Sequence, residues 1–150
     1  MTINGDRCIY VLAADAKATI KSGTYVSPTA SPAVYVYKAG KVIIEGGTFK
    51  AEPTSGKNYA LNLYDSLVKG NADVDVRDFI EVRGGKFINY NPAESYSEPA
   101  PHSPCSFVAD GYTTGFYMDD NDTVYVVVKD SDKLPTEMDG HEIIWLKDIE

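Results

Sequence analysis

The sequence predicts an all-β chain: a short right-handed parallel β-helix, or solenoid, with a C-terminal capping hairpin and a short tail. Three observations carry that expectation. Glycine-centred strings recur as Ser22-Gly23-Thr24-Tyr25, Gly46-Gly47-Thr48-Phe49 and Gly84-Gly85-Lys86-Phe87, and each closes a short apolar run. A second short run precedes each of them at a matching distance. The copies then align over both runs and the glycine corner, as stacked repeats do. An antiparallel sandwich also has short strands and glycine turns, but it does not require separate copies to align.

Gly23 and Gly47 are 24 positions apart, and a shift of 24 sets the first two copies in register. It lays Ile9-Tyr10-Val11-Leu12 on Ala33-Val34-Tyr35-Val36, and Ala18-Thr19-Ile20-Lys21 on Val42-Ile43-Ile44-Glu45. The third copy, Ala60-Leu61-Asn62-Leu63 and Ile80-Glu81-Val82-Arg83, is longer, because Gly47 and Gly85 are 38 positions apart. About three of the extra residues fall in the 52–58 turn, and the rest form one insertion at 66–79.

Each copy holds two strands of period two. The inward positions of the first strand are Tyr10 and Leu12, Val34 and Val36, Leu61 and Leu63. Those of the second are Ala18 and Ile20, Val42 and Ile44, Ile80 and Val82. The opposite parity would bury Lys21, Glu45 and Arg83, which is costly. Stacked copies turn equivalent positions into columns. Tyr25, Phe49 and Phe87 become an inward aromatic stack, and Lys21, Glu45 and Arg83 an outward column of alternating charge. The glycines suit a corner that needs positive φ or close backbone approach.

Beyond Phe87 the repeat breaks. Four prolines in 89–105 exclude helix and central strand there. Residues 106–112 read as one more first strand, with Phe107 and Ala109 inward. Phe116-Tyr117-Met118 and the run from Thr123 to Val128 flank Asp119-Asp120-Asn121-Asp122 as a hairpin with a polar turn. Such a hairpin would cover an open sheet edge. Residues 1–128 are therefore read as the β-helix with its cap, and 129–150 as a tail that Trp145 anchors on the body or on a neighbouring subunit. The chain starts almost inside a copy, so it is either a fragment or a chain whose first end another subunit covers.

At 150 residues and 43% apolar content the chain can bury a core. A net charge of −8 without basic clusters argues against nucleic acid as partner. No run approaches the roughly 18 to 20 apolar residues of a membrane span. The N-terminus lacks a secretory apolar region. Cys8 and Cys105 have no metal or redox spacing and read as buried free thiols.

Polysaccharide-cleaving enzymes often use β-helices, which makes the acidic groups candidates for such chemistry. Asp73, Asp75 and Asp78 beside Arg77 could hold Ca²⁺ and a uronate, but read better as a solvated loop. Asp119, Asp120 and Asp122 lack calcium-loop spacing and read as turn chemistry. His102 and His141 have no evident orienting partner, and neither double glycine leads into a phosphate loop. No catalytic residue, metal ligand or cofactor is expected. The outward tyrosines Tyr35, Tyr37 and Tyr64 are the candidate contact surface, for a subunit or a sugar, together with Trp145.

The strings Val42-Ile43-Ile44-Glu45-Gly46-Gly47-Thr48-Phe49, Tyr59-Ala60-Leu61-Asn62-Leu63-Tyr64-Asp65, Asn91-Pro92 and Phe107-Val108-Ala109-Asp110-Gly111-Tyr112 resemble one family. It is the β-helical repeat protein of gut bacteria and their tailed phages. The resemblance covers roughly residues 9–128 and departs in the 66–79 insertion and the tail. It implies a surface or virion fibre module, often trimeric in phages, and carries over no catalytic residue.

The expected function is a non-enzymatic structural component of a phage virion (a head fibre, tail fibre or decoration module), made in the host cytoplasm. The expected assembly is a homo-oligomer, with a trimer favoured, or part of a larger virion assembly. The alternative is a glycan-binding segment of a bacterial surface adhesin. A polysaccharide lyase or hydrolase ranks below both.

Overall fold

A computed structural model of the chain describes residues 1–28, 31–52, 59–64, 67, 73–95 and 105–149. His102, the core of the proline-rich segment, residues 53–58 and residues 66 and 68–72 of the 66–79 insertion lie outside the described residues. The chain is all-β, with parallel sheets, and the described residues contain no α-helix.

The repeat region comprises β1 (Thr2–Asn4), β2 (Ile9–Val11), β3 (Lys17–Ile20), β4 (Thr24–Ser27), β5 (Val34–Val36), β6 (Lys41–Ile44), β7 (Thr48–Ala51), β8 (Leu61–Leu63), β9 (Ile80–Val82) and β10 (Lys86–Ile88). The C-terminal region adds β11 (Tyr112–Asp119), β12 (Asp122–Lys129), β13 (Glu137–Met138), β14 (His141–Glu142) and β15 (Ile144–Trp145).

Every third strand pairs in parallel. β2, β5 and β8 form a first sheet, and β3, β6 and β9 a second. The third sheet begins with β1, β4, β7 and β10. Each copy therefore has three strands, where the sequence pattern predicted two. The Thr-aromatic string after each glycine is itself a strand, because Gly23, Gly47 and Gly85 turn the chain at φ of 107°, 101° and 98° and the next residues extend again. Alternation over four residues is too short to separate a strand from a turn.

The aromatic column forms as the repeat implies. Tyr25 stacks on Phe49 with centroids 5.1 Å apart, and Phe49 on Phe87 at 5.2 Å. Both phenylalanines are fully buried, and the Tyr25 hydroxyl donates to the Ser22 carbonyl at 2.8 Å. Val34, Val36, Leu61, Leu63, Val42, Ile44, Ile80 and Val82 fill the space between the sheets. Lys21, Glu45 and Arg83 are exposed, as the parity requires.

One register differs from the prediction. Ile9 pairs with Val34, a step of 25, while Lys17 pairs with Lys41, a step of 24. The turn from β2 to β3 holds five residues (12–16) and that from β5 to β6 four (37–40). A slip of one residue exchanges the faces of a strand. Val11 thus faces the core, while Tyr10 and Leu12, expected inward, are 38% and 55% exposed. Later steps match the longer third copy: Val34 pairs with Leu61, a step of 27, and Val42 with Ile80, a step of 38.

The C-terminal region covers the β9 and β10 edges. β11 and β12 form the expected hairpin, and β12 pairs antiparallel with β10. Residues 106–109 stack on β9 and not on a first strand: Val108 bridges Val82 in parallel, Val82 N–H donates to Phe107 O at 2.8 Å, and Ala109 N–H to Val82 O at 2.9 Å. Phe107 and Ala109 are buried there. β15 pairs antiparallel with β11, and the Trp145 indole N–H donates to Pro135 O at 2.9 Å.

Candidate functional site

The outer face of the first sheet gathers the tyrosines. Tyr10 and Tyr35 are in register on β2 and β5, and Asn62 follows them on β8. Tyr37 and Tyr64 lie just past β5 and β8, where their N–H groups donate to Val11 O and Val36 O at 3.0 and 2.9 Å. Their rings are 4.3 Å apart. Tyr10 meets Tyr35 edge-on at 5.5 Å and Tyr37 at 6.2 Å, and Tyr35 lies 6.2 Å from Tyr37. Tyr35 is nearly buried and Tyr37 and Tyr64 half-buried, so Tyr10 is the outermost ring.

Two cations lie on this strip. The Arg7 guanidinium is 5.2 Å from the Tyr10 centroid and 5.7 Å from that of Tyr35, and the Lys38 ammonium is 5.1 Å from Tyr37. Cation–π contacts of this kind at exposed sites are worth about 0.5–1 kcal/mol. Arg7 holds φ at 52°, a left-handed conformation that a non-glycine residue adopts at a cost of about 1–2 kcal/mol.

Of the sequence-predicted contact residues, Tyr35, Tyr37 and Tyr64 come together here. Trp145 does not: it is buried against Gly115 and Ile143. Tyr10 and Arg7 escaped the sequence reading. Tyr10 was assigned inward by the shift of 24, although Ile9-Tyr10-Val11 and Val34-Tyr35-Val36 share one β-branched–Tyr–Val triplet that signals the true register. Arg7 carries no comparable signal.

The acidic insertion is built differently. Asp75 caps a 3-10 turn at Val76–Asp78 and takes a two-pronged contact from Arg77, with Nη2 at 2.9 Å and Nε at 3.0 Å. Arg77 also donates to Asp110 at 2.7 Å and to Val108 O at 3.4 Å, tying the insertion to the segment that stacks on β9. The Arg77 hydrogen bonds hold Asp75 below the usual carboxylate range. A carboxyl so pinned stays ionised and cannot deliver a proton near neutrality. Beside it, a cleft of about 450 Å³ is lined by Lys41, Arg77, Glu81, Arg83 and Asp110. The buried Glu81 Oε2 lies 2.9 Å from Arg83 Nη2 and 3.5 Å from Lys41 Nζ, close enough for ion pairing but not aligned for a hydrogen bond.

Asp119, Asp120 and Asp122 form the hairpin turn, with Asp120 at φ 52° and Asp122 accepting from Asn89 at 2.8 Å. His141 stacks on Tyr117 at 5.0 Å, with Asp119 3.9 Å away. Burial raises both thiols, Cys105 to about 11, so neither is an activated nucleophile. Among the described residues no group of three or more His, Cys, Asp and Glu is arranged to hold a metal.

Fold and surface together define an all-β repeat protein on parallel sheets. Comparison with family models, curated proteins and solved structures finds no match.

Proposed function

We propose that this chain is a non-enzymatic structural module of a phage virion, in a head fibre, tail fibre or decoration. Its three parallel sheets are the faces of one short right-handed β-helix. The observation that carries the reading is the in-register recurrence of all three strands with one glycine corner and one aromatic column. A stack of this kind is a rigid spacer, stable through neighbour contacts between rungs. The acidic side chains and thiols support a non-catalytic role, since the carboxylates cap turns or join segments and both half-buried thiols are held protonated. The tyrosine face of the first sheet is the attachment surface.

The module works as a homo-oligomer, a trimer being favoured, and joins the virion after synthesis in the host cytoplasm. Native mass spectrometry of the purified chain is expected to give the trimer. A monomer that persists at high micromolar concentration, with no capsid or tail genes beside its own, would falsify the proposal.

A further inference from the structure

We infer that the strip of Arg7, Tyr10, Tyr37 and Lys38 binds an acidic saccharide, with the sugar's C–H face on Tyr10 and its carboxylate on Arg7. The inference rests on the reading of this face as the attachment surface. It starts from a contrast among the cations. Lys41, Arg77, Arg83, Lys86 and Lys147 all pair with carboxylates of the chain. Arg7 and Lys38 are exposed and lie on tyrosine rings instead. Lys17, Lys21, Lys50, Lys129 and Lys133 also meet no described carboxylate, so in a chain of net charge −8 it is the seating on tyrosine rings that sets Arg7 and Lys38 apart.

A guanidinium backed by an aromatic face keeps its outer N–H donors for a ligand. Its planar fork matches a carboxylate in two-pronged geometry. The left-handed backbone at Arg7 aims the side chain over Tyr10 and Tyr35, and local strain of this sort is often held at binding sites. Tyr10, 38% exposed, offers the ring surface, and its hydroxyl can meet the sugar hydroxyls. Lys38 sets a second positive charge further along the strip. A neutral sugar would use the tyrosines alone, so the flanking cations select for acid. A phosphate backbone needs more cations than these two.

Isothermal titration of the full chain tests this with tetragalacturonate and sialyllactose as acidic probes. Maltotetraose and lactose are the neutral counterparts. At least one acidic probe is expected to bind about tenfold more tightly than its counterpart. Arg7→Gln should remove that preference by weakening acidic probes about tenfold, whereas Tyr10→Ala should weaken acidic and neutral sugars alike. Thermal melts of both variants check that the fold is kept. Three results would each overturn the inference: no acidic probe bound at millimolar concentration, equal binding of acid and neutral sugars, or tighter binding of a thymidine oligonucleotide. None of them bears on the trimer, which native mass spectrometry reads separately.

Discussion

Gly23, Gly47 and Gly85 turn the chain at positive φ, and the glycine before the latter two, Gly46 and Gly84, lets successive copies touch. A Cβ on Gly84 would sit 2.2 Å from the Glu45 carbonyl oxygen, and one on Gly46 2.3 Å from that of Lys21. Backbone cannot retreat as a flexible side chain can. Gly84→Ala is therefore expected to cost about 1–3 kcal/mol, the range for overpacking a tight site. Gly5, with nothing within 4 Å of its virtual Cβ, is the control, and Gly5→Ala should change stability by less than about 0.5 kcal/mol. Urea denaturation of the two variants measures the difference. These corners were legible in the sequence, because close approach and positive φ both demand glycine and the demand recurs once per copy. Tyr10 was not legible in the same way. Its face depends on one residue more or less in a turn, and the only trace of that in the sequence is the triplet Ile9-Tyr10-Val11 shares with Val34-Tyr35-Val36.

At the scale of elements, two of the contacts that hold the tail on the hairpin can be tested singly. Trp145 and Ile143 pack over Gly115, where a Cβ would meet the Trp145 ring at 2.7 Å and Ile143 at 2.9 Å. Gly115→Ala is expected to undock β15: Trp145 emission should shift red and the segment 129–149 become open to protease, while far-ultraviolet circular dichroism changes little. The second contact is a latch. Asp139, in a left-handed turn position, bonds both Lys86 on β10 and the Tyr117 hydroxyl on β11, the latter at 2.8 Å. The Lys86 contact, then the Tyr117 hydrogen bond, holds the Asp139 carboxyl below its ordinary 3.8.

A carboxyl lowered in the folded state stabilises that state fully above its unfolded pKa. The contribution disappears as pH falls below 3.8 toward the lower folded value. Acid titration followed by Trp145 fluorescence should show the tail loosening in that range, and Asp139→Asn should abolish this step and weaken docking at neutral pH. Sequence patterning located the hairpin, since polar turns between alternating runs are local. It could not place 106–109. Phe107 and Ala109 fit inward on a first or a second strand equally well, and only the pairing of Val108 with Val82 decides.

The whole molecule depends on the aromatic column running through its core. Phe49 is stacked on both sides and fully buried, so truncation leaves a cavity bounded by Tyr25 and Phe87. Phe49→Ala is expected to cost about 3–5 kcal/mol. The loss should appear as one cooperative transition at lower denaturant, since Phe49 packs in the same buried cluster as residues of all three parallel strand sets. Two separate transitions would show that the rungs do not share one core.

The sequence by itself determined the all-β repeat, the step of 24 and then 38 in its second and third sheets, the glycine corners and the inward aromatics. Each is a short-range pattern that the chain's covalent order carries directly. The tertiary structure decided the third strand per copy, the register of β2, the sheet that 106–109 joins, the burial of Trp145 and the meeting of Arg7 with the tyrosines. Those outcomes hang on turn lengths and on pairings between residues distant in sequence. There a single inserted residue exchanges inside for outside.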